Sequence, residues 1–107
     1  MADFSEAKIL DVWNTAEIYT QETKHEWRKD YAGAWIKFDQ YGKEGSYGWE
    51  IDHAKPESKG GGHELQNLVP LHWRNNRYKA DNYPDFQTIV SSDGNKNIEK
   101  IQSWNYR

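Results

Sequence analysis

The sequence predicts a single small α+β domain. A chain of 107 residues has the length of one domain. Apolar residues recur at helical spacing in some segments, whereas β-forming residues cluster in others. Breaks that contain glycine or proline separate these segments. Mean hydropathy is low, at −1.15, but six Trp and seven Tyr can fill a modest core and argue against disorder.

Residues 4–18 form the first predicted element, an amphipathic helix. Apolar side chains recur there at the i, i+3, i+4, i+7 spacing of one helical face, at Ile9, Val12, Trp13 and Ala16. Asp3 is the predicted N-cap, with Glu6 three residues later as in a capping box. Residues 19–30 lack clear periodicity and predict a connector.

Two short strands are predicted next, at 34–38 and 47–52, because both segments are rich in β-forming side chains. We expect them to pair as a hairpin that ends at His53. Residues 54–67 are predicted to form a loop, because a proline and three consecutive glycines exclude regular structure there. Residues 69–71 predict a short returning strand, in which a proline suits an edge position.

A second helix is predicted from about 71 to 80, ended by the Asn-Tyr-Pro run at 82–84. Beyond it, an Asp-Gly pair at 93–94 lies between two alternating runs and favours a hairpin. Ile98 and Ile101 are three residues apart, which leaves a helix over 96–104 as the alternative.

The centre of the chain carries closely spaced polar side chains. Residues 50–53 read Glu-Ile-Asp-His, which places two carboxylates and an imidazole within four residues. Asn67 follows His53 by 14 residues, and Asn76 follows Asn67 by 9. This pattern resembles the HNH endonuclease motif, and residues 76–81 resemble the catalytic helix of the HNH domain in RNA-guided CRISPR nucleases.

The resemblance implies a ββα-metal (HNH/His-Me finger) core with an N-terminal helix and extra short strands. It implies one HNH endonuclease domain over 1–107 with its motif core at 47–82. The motif is of H-N-N type and lacks the CxxC zinc pairs that many HNH proteins carry, because the chain has no cysteine. A disulfide framework and a cysteine-based structural zinc site are excluded for the same reason.

The resemblance also implies roles for four residues. His53 would be the general base and Asp52 a metal ligand. Asn76 would bind the metal through its amide oxygen, and Asn67 would fix the loop and orient the histidine. Oxygen donors of this kind suit Mg²⁺ or Mn²⁺ better than Zn²⁺.

Other polar residues are candidates from their spacing. Glu50 shares a strand face with Asp52 and is a further ligand or a contact behind one. On a helix, His72, Asn76 and Lys79 share one face. Lys79 could therefore contact a phosphate or steady transition-state charge. His72 is either a ligand or a packing residue, the commoner case.

Arg74, Arg77 and Lys79 are predicted to contact nucleic acid. The alternative for the two arginines is that they are solvated surface side chains without a ligand. His63 is interpreted as a loop residue rather than a ligand. The net charge of −3 predicts weak binding to free DNA, although basic residues concentrate at 72–79. A protein partner or a homodimer that supplies DNA affinity is therefore left open.

The predicted function is a metal-dependent endonuclease that hydrolyses DNA phosphodiester bonds by nicking. The alternative is a catalytically silent module that binds nucleic acid or protein on the same fold. No run of 18 apolar residues exists, and the first residues are polar and acidic. We therefore expect a cytoplasmic protein without a membrane span.

Overall fold

The computed structural model describes residues 4–106, which combine helices with antiparallel strands. The mixed α/β character expected from the sequence is confirmed. The elements, in chain order, are α1 (Glu6–Trp13), β1 (Glu17–Ile18), β2 (Trp27–Lys29), β3 (Trp35–Lys37), β4 (Trp49–His53), β5 (Leu68–His72), α2 (Trp73–Lys79), β6 (Asp85–Asp93) and β7 (Lys96–Asn105). The strands form three sheets, ordered β1-β2-β3, β4-β5 and β6-β7.

Helix α1 is shorter than the predicted helix over 4–18. Ser5 caps it by accepting a hydrogen bond of 3.1 Å from the backbone N–H of Lys8, whereas the expected cap Asp3 lies outside the described residues. The Arg28 guanidinium donates to the backbone carbonyls of Asn14 and Ala16. These bonds satisfy carbonyl groups at and beyond the helix end, so the chain can leave the helix and enter β1.

The predicted hairpin between 34–38 and 47–52 is wrong. Strand β3 pairs with β2, inside the segment expected to be a connector. Asp30 explains this pairing, because its Oδ1 accepts from the backbone N–H groups of Ala32 (3.0 Å) and Ala34 (2.9 Å). Gly33 adopts a φ of 93° in the same turn, a conformation that glycine adopts without strain. The turn therefore folds β3 back onto β2.

Strand β4 instead pairs with β5, in a register that runs from Trp49 opposite His72 to His53 opposite Leu68. The predicted loop over 54–67 joins the two strands, and α2 follows β5 directly. The predicted returning strand and second helix are confirmed, with the helix beginning two residues later than expected. A β-hairpin followed by a helix is therefore present at the centre of the chain.

The C-terminal hairpin of β6 and β7 is confirmed, and the alternative helix over 96–104 is wrong. Asn75, a fully buried residue of α2, attaches the helix to this hairpin. Its Oδ1 accepts from the backbone N–H groups of Ile89 (2.9 Å) and Val90 (2.7 Å), and its Nδ2 donates to the Val90 carbonyl at 2.9 Å. Nδ2 also donates to Asp30 Oδ2 at 3.0 Å.

The hydrophobic core lies between α1, β3 and the β4–β5 pair. Its buried members are Val12, Trp13, Ala16, Ile36, Trp49, Ile51 and Leu68. The core anchors β4 through two large side chains, Trp49 and Ile51, so the polar residues that alternate with them have fixed positions. No helix in residues 4–106 is long and apolar enough to cross a membrane.

Candidate active site

A cavity of about 370 Å³ opens where β4 ends beside α2. Asp52, His53 and Asn76 all line it, although the first two come from a strand and the third from a helix. The other lining residues are Phe4, Ile51, Pro56, Glu57, Ser58, Ala80 and Asp81. The fold thus brings together three residues that the sequence singled out for chemistry.

Asp52 is buried, with 6% of its surface exposed. Its Oδ1 accepts a hydrogen bond of 3.4 Å from Lys79 Nζ, and its Oδ2 lies 3.3 Å from the same atom. Oδ2 accepts no hydrogen bond from the described part of the chain. Burial raises the pKa of Asp52 to about 6, while the Lys79 charge acts in the opposite direction. The site therefore holds a buried carboxylate that is ion-paired to Lys79, with one oxygen that accepts no hydrogen bond from the described residues.

Lys79 differs from the expectation that it faces a phosphate. Only 1% of its surface is exposed. Its ammonium group forms an ion pair with Asp52 and donates a hydrogen bond to the His53 carbonyl. The ring of Phe86 lies 5.2 Å below the ammonium. The helix face that carries Lys79 packs inward against β4 and β6, so this cation supports the buried carboxylate instead of reaching solvent.

Asn76 is oriented by Glu50. Its Nδ2 donates to Glu50 Oε1 at 2.9 Å, and the second carboxylate oxygen of Glu50 accepts from Arg77 at 3.0 Å. Glu50 is buried and does not line the cavity, so it contacts Asn76 from behind. Because the amide nitrogen of Asn76 is committed, its oxygen is the atom available to a cation.

His53 lies at the end of β4 and is close to a second imidazole. Its Nε2 is 2.9 Å from His63 Nδ1 and 3.9 Å from Glu57 Oε1. Burial lowers the pKa of His53, and the nearby Glu57 carboxylate acts against that effect. The sequence predicted His63 to be an ordinary loop residue and did not predict its contact with His53. The two rings meet only because of the path of the folded loop, which residue spacing does not indicate.

Asn67 ties the two ends of the loop over 54–67. Its Oδ1 accepts from the backbone N–H of Lys55 at 2.8 Å. Its Nδ2 donates to the carbonyls of Lys55 and Gly62, at 3.1 and 2.9 Å. The side chain thus holds the loop closed immediately after His53.

Residues 35–82 match the model of a protein family described as HNH endonuclease. The resemblance to the HNH family is confirmed. This HNH segment, residues 35–82, runs from β3 to the end of the turn after α2 and contains Asp52, His53, Asn67 and Asn76. No curated protein and no solved structure matches the chain.

His72 is a packing residue of the HNH segment in this structure. It precedes α2 as the N-cap, and its Nδ1 accepts from the backbone N–H of Arg74 at 3.2 Å. Its Nε2 lies 2.9 Å from the Ser46 carbonyl, which requires the proton on Nε2. Burial lowers the pKa of His72. Both ring nitrogens are engaged, and His72 does not line the cavity that Asn76 lines.

Both candidate phosphate-binding arginines of the HNH segment already have carboxylate partners. Arg74 donates to Glu99 at 2.7 Å. Arg77 pairs with Glu44 as well as Glu50, and its guanidinium lies 5.0 Å from the Trp73 ring centre. The pairs with Glu99 and Glu44 are exposed on both sides, and exposed ion pairs contribute little to stability. A phosphate could therefore displace Glu99 and Glu44 at small cost, whereas the buried Glu50 would keep its contact with Arg77.

Proposed function

We propose that the protein is a metal-dependent endonuclease that hydrolyses DNA phosphodiester bonds by nicking. In this proposal β4, β5 and α2 form a ββα-metal core, and residues 1–107 act as one HNH domain with its motif core at 47–82. The observation that carries the proposal is the convergence of Asp52, His53 and Asn76 on one cavity.

We propose that Asp52 and Asn76 hold the metal ion. Asp52 contributes Oδ2, which accepts no hydrogen bond from the described residues although Lys79 Nζ lies 3.3 Å away. Glu50 leaves the oxygen of Asn76 available. An all-oxygen donor set fits Mg²⁺ or Mn²⁺. When bound, the ion supplies charge neutralisation at the leaving oxygen. Lys79 keeps the buried Asp52 carboxylate ionised and in place.

We propose His53 as the general base that takes the proton from the attacking water. Because burial lowers its pKa, its imidazole is neutral near pH 7 and can accept a proton. Its neighbour His63 is about half exposed, at 55% of the side chain, and can rotate away without breaking a buried contact. Asn67 positions the base by closing the loop that follows it.

We propose Arg74 and Arg77 as phosphate contacts that exchange their exposed carboxylate partners, Glu99 and Glu44, for DNA. The net charge of −3 leaves little general attraction for a polyanion. A protein partner or a second copy of the chain would then supply the missing DNA affinity. Lys79 is buried in this structure and would act on the substrate only through Asp52.

The test compares nicking of a supercoiled plasmid by wild type, His53→Ala and Asp52→Ala in Mg²⁺ or Mn²⁺. His53→Ala should lower the rate by on the order of 10²- to 10⁴-fold, with Mn²⁺ affinity in calorimetry nearly unchanged. Asp52→Ala should lose rate and Mn²⁺ affinity together. His25→Ala, which changes an exposed histidine outside the HNH segment, is the matched control.

The outcomes separate the alternatives. If His53→Ala nicks within a few-fold of wild type, His53 is not the base. If His53→Ala loses Mn²⁺ as completely as Asp52→Ala does, His53 is a ligand. Wild type that binds double-stranded DNA, single-stranded DNA or RNA without cutting any of them would instead be a silent binding module.

A further inference from the structure

We propose that His53, Glu57 and His63 form a second metal site, separate from the Asp52–Asn76 pair, that takes a transition-metal ion such as Zn²⁺. Resting on the proposed function, we add that an ion in this second site removes His53 from catalysis and so inhibits the nuclease.

The geometry of the three side chains carries the proposal. Each offers one ligand atom, and these atoms all lie within 4.8 Å of one another. His53 Nε2 is 2.9 Å from His63 Nδ1 and 3.9 Å from Glu57 Oε1. Ligand atoms about 2.0–2.2 Å from a tetrahedral zinc ion lie roughly 3.3 Å apart. Small side-chain movements would therefore bring all three atoms onto one ion.

The loop that presents these ligands has a defined path. Asn67 holds the Gly62 carbonyl at 2.9 Å, which fixes the backbone next to His63. A Cβ atom at Gly61 would lie 1.7 Å from the Lys55 carbonyl oxygen, so this close approach requires glycine. The Phe4 ring lies 6.1 Å from both imidazole rings and packs beside them. The two imidazoles meet because the loop is held in this shape.

The donor atoms of the second site favour a different class of metal ion from the class that the Asp52–Asn76 pair favours. Two imidazole nitrogens and a carboxylate form a typical Zn²⁺ ligand set and also suit other late first-row metals, whereas Mg²⁺ prefers oxygen. Glu57 and His63 have 54% and 55% of their side chains exposed, so an ion can enter from solvent. Three protein ligands leave a coordination position open, as in zinc sites that also bind water.

His53 connects the two sites. The nitrogen that would bind Zn²⁺, Nε2 of His53, belongs to the imidazole proposed to take the proton from water. In a neutral imidazole with a metal on Nε2, Nδ1 carries the proton, so neither ring nitrogen has a free lone pair to accept another. Zn²⁺ should therefore inhibit Mg²⁺-supported nicking at concentrations that fill the second site. Removing His63 should relieve the inhibition without removing the base.

The experiment measures Zn²⁺ binding to the whole chain by calorimetry for wild type, His63→Ala, Glu57→Gln and the control His25→Ala. His63→Ala and Glu57→Gln should each weaken binding by at least about 10-fold, since outer-sphere changes alone typically cost 10- to 100-fold. Both substitutions alter exposed loop side chains, so the fold should be retained, which circular dichroism checks. His25→Ala should bind as wild type does.

A Zn²⁺ affinity that stays within two-fold of wild type in His63→Ala would overturn the site. So would loss of Zn²⁺ binding in Asp52→Ala together with normal binding in His63→Ala, because the ion would then occupy the first site.

Nicking in Mg²⁺ with added Zn²⁺ tests the coupling. For each protein the nicking rate with Zn²⁺ is divided by its own rate without Zn²⁺. This ratio should fall in wild type and stay near one in His63→Ala, and an equal fall in the two proteins would overturn the coupling. If wild type nicks nothing while His63→Ala still loses Zn²⁺ affinity, the second site stands and the proposed function fails.

Discussion

Two adjacent asparagines of α2 have contrasting surroundings, and substitutions at them should separate folding from metal binding. Asn75 is fully buried and makes four side-chain hydrogen bonds, to Asp30, to the Ile89 N–H and to both backbone groups of Val90. Asn75→Ala removes all four and leaves their partners unsatisfied. At roughly 1 kcal/mol net for each bond, the loss is about 4 kcal/mol, and the higher helix propensity of alanine recovers less than about 1 kcal/mol.

That loss is a large part of the roughly 5–15 kcal/mol that stabilises a typical domain. We expect the melting temperature of Asn75→Ala to fall by about 15 °C or more. Asn76→Ala is the matched control, because Asn76 is only partly buried and makes one side-chain hydrogen bond, to Glu50. It should cost about 1 kcal/mol or less but weaken Mn²⁺ binding strongly.

The assay is urea unfolding followed by tryptophan fluorescence, combined with Mn²⁺ calorimetry on each folded variant. A loss below about 1 kcal/mol in Asn75→Ala would refute the idea that its hydrogen bonds hold α2 to β6. An equal loss of stability in both variants would refute the division of roles between the two neighbours.

Two further predictions concern the fold. Because the chain has no cysteine, EDTA in the absence of added metal should leave the far-ultraviolet circular dichroism and melting temperature nearly unchanged; cooperative unfolding on chelation would contradict this. Burial raises the pKa of Asp30 to about 6, although the hydrogen bonds that its carboxylate accepts lower the pKa in part. In the unfolded chain the pKa of an aspartate is about 3.9. The folded state therefore binds this proton more tightly, and the stability of wild type relative to Asp30→Asn should fall as pH rises from about 4 to about 6 and then level off. Urea unfolding of both proteins across that range measures the difference, and a relative stability that rises with pH would contradict the sign.

The elements predicted correctly are those with strong local signals. The β6–β7 hairpin follows from an Asp-Gly turn between alternating runs, and β5 and α2 follow from their short apolar and helical patterns. The β2–β3 pairing was missed because a side chain, Asp30, closes the turn between the strands. A turn that is closed by one buried carboxylate leaves no periodic pattern in the sequence from which it could be predicted.

The candidate site shows the same limit. Motif spacing was enough to select Asp52, His53 and Asn76, which the structure places around one cavity. A helical wheel gives the faces of α2 but not which face packs inward, so the burial of Lys79 could not be read from spacing. His63 reaches His53 only through the folded path of the glycine loop, and His72 finds Ser46 at a separation of 26 residues.

The acidic partners of Arg74 and Arg77 determine how the protein would respond to salt. If Arg74 and Arg77 contact DNA as proposed, Glu99 and Glu44 would compete with the phosphates at the high effective concentration of groups on one chain. On DNA binding, a phosphate would replace a glutamate carboxylate at each arginine, and the displaced carboxylate would remain attached to the protein. Added salt would screen the resident pair as well as the incoming phosphate, so fewer ions are released per contact. The affinity should therefore fall less steeply with salt than the roughly 0.9 power per neutralised phosphate expected for free basic side chains.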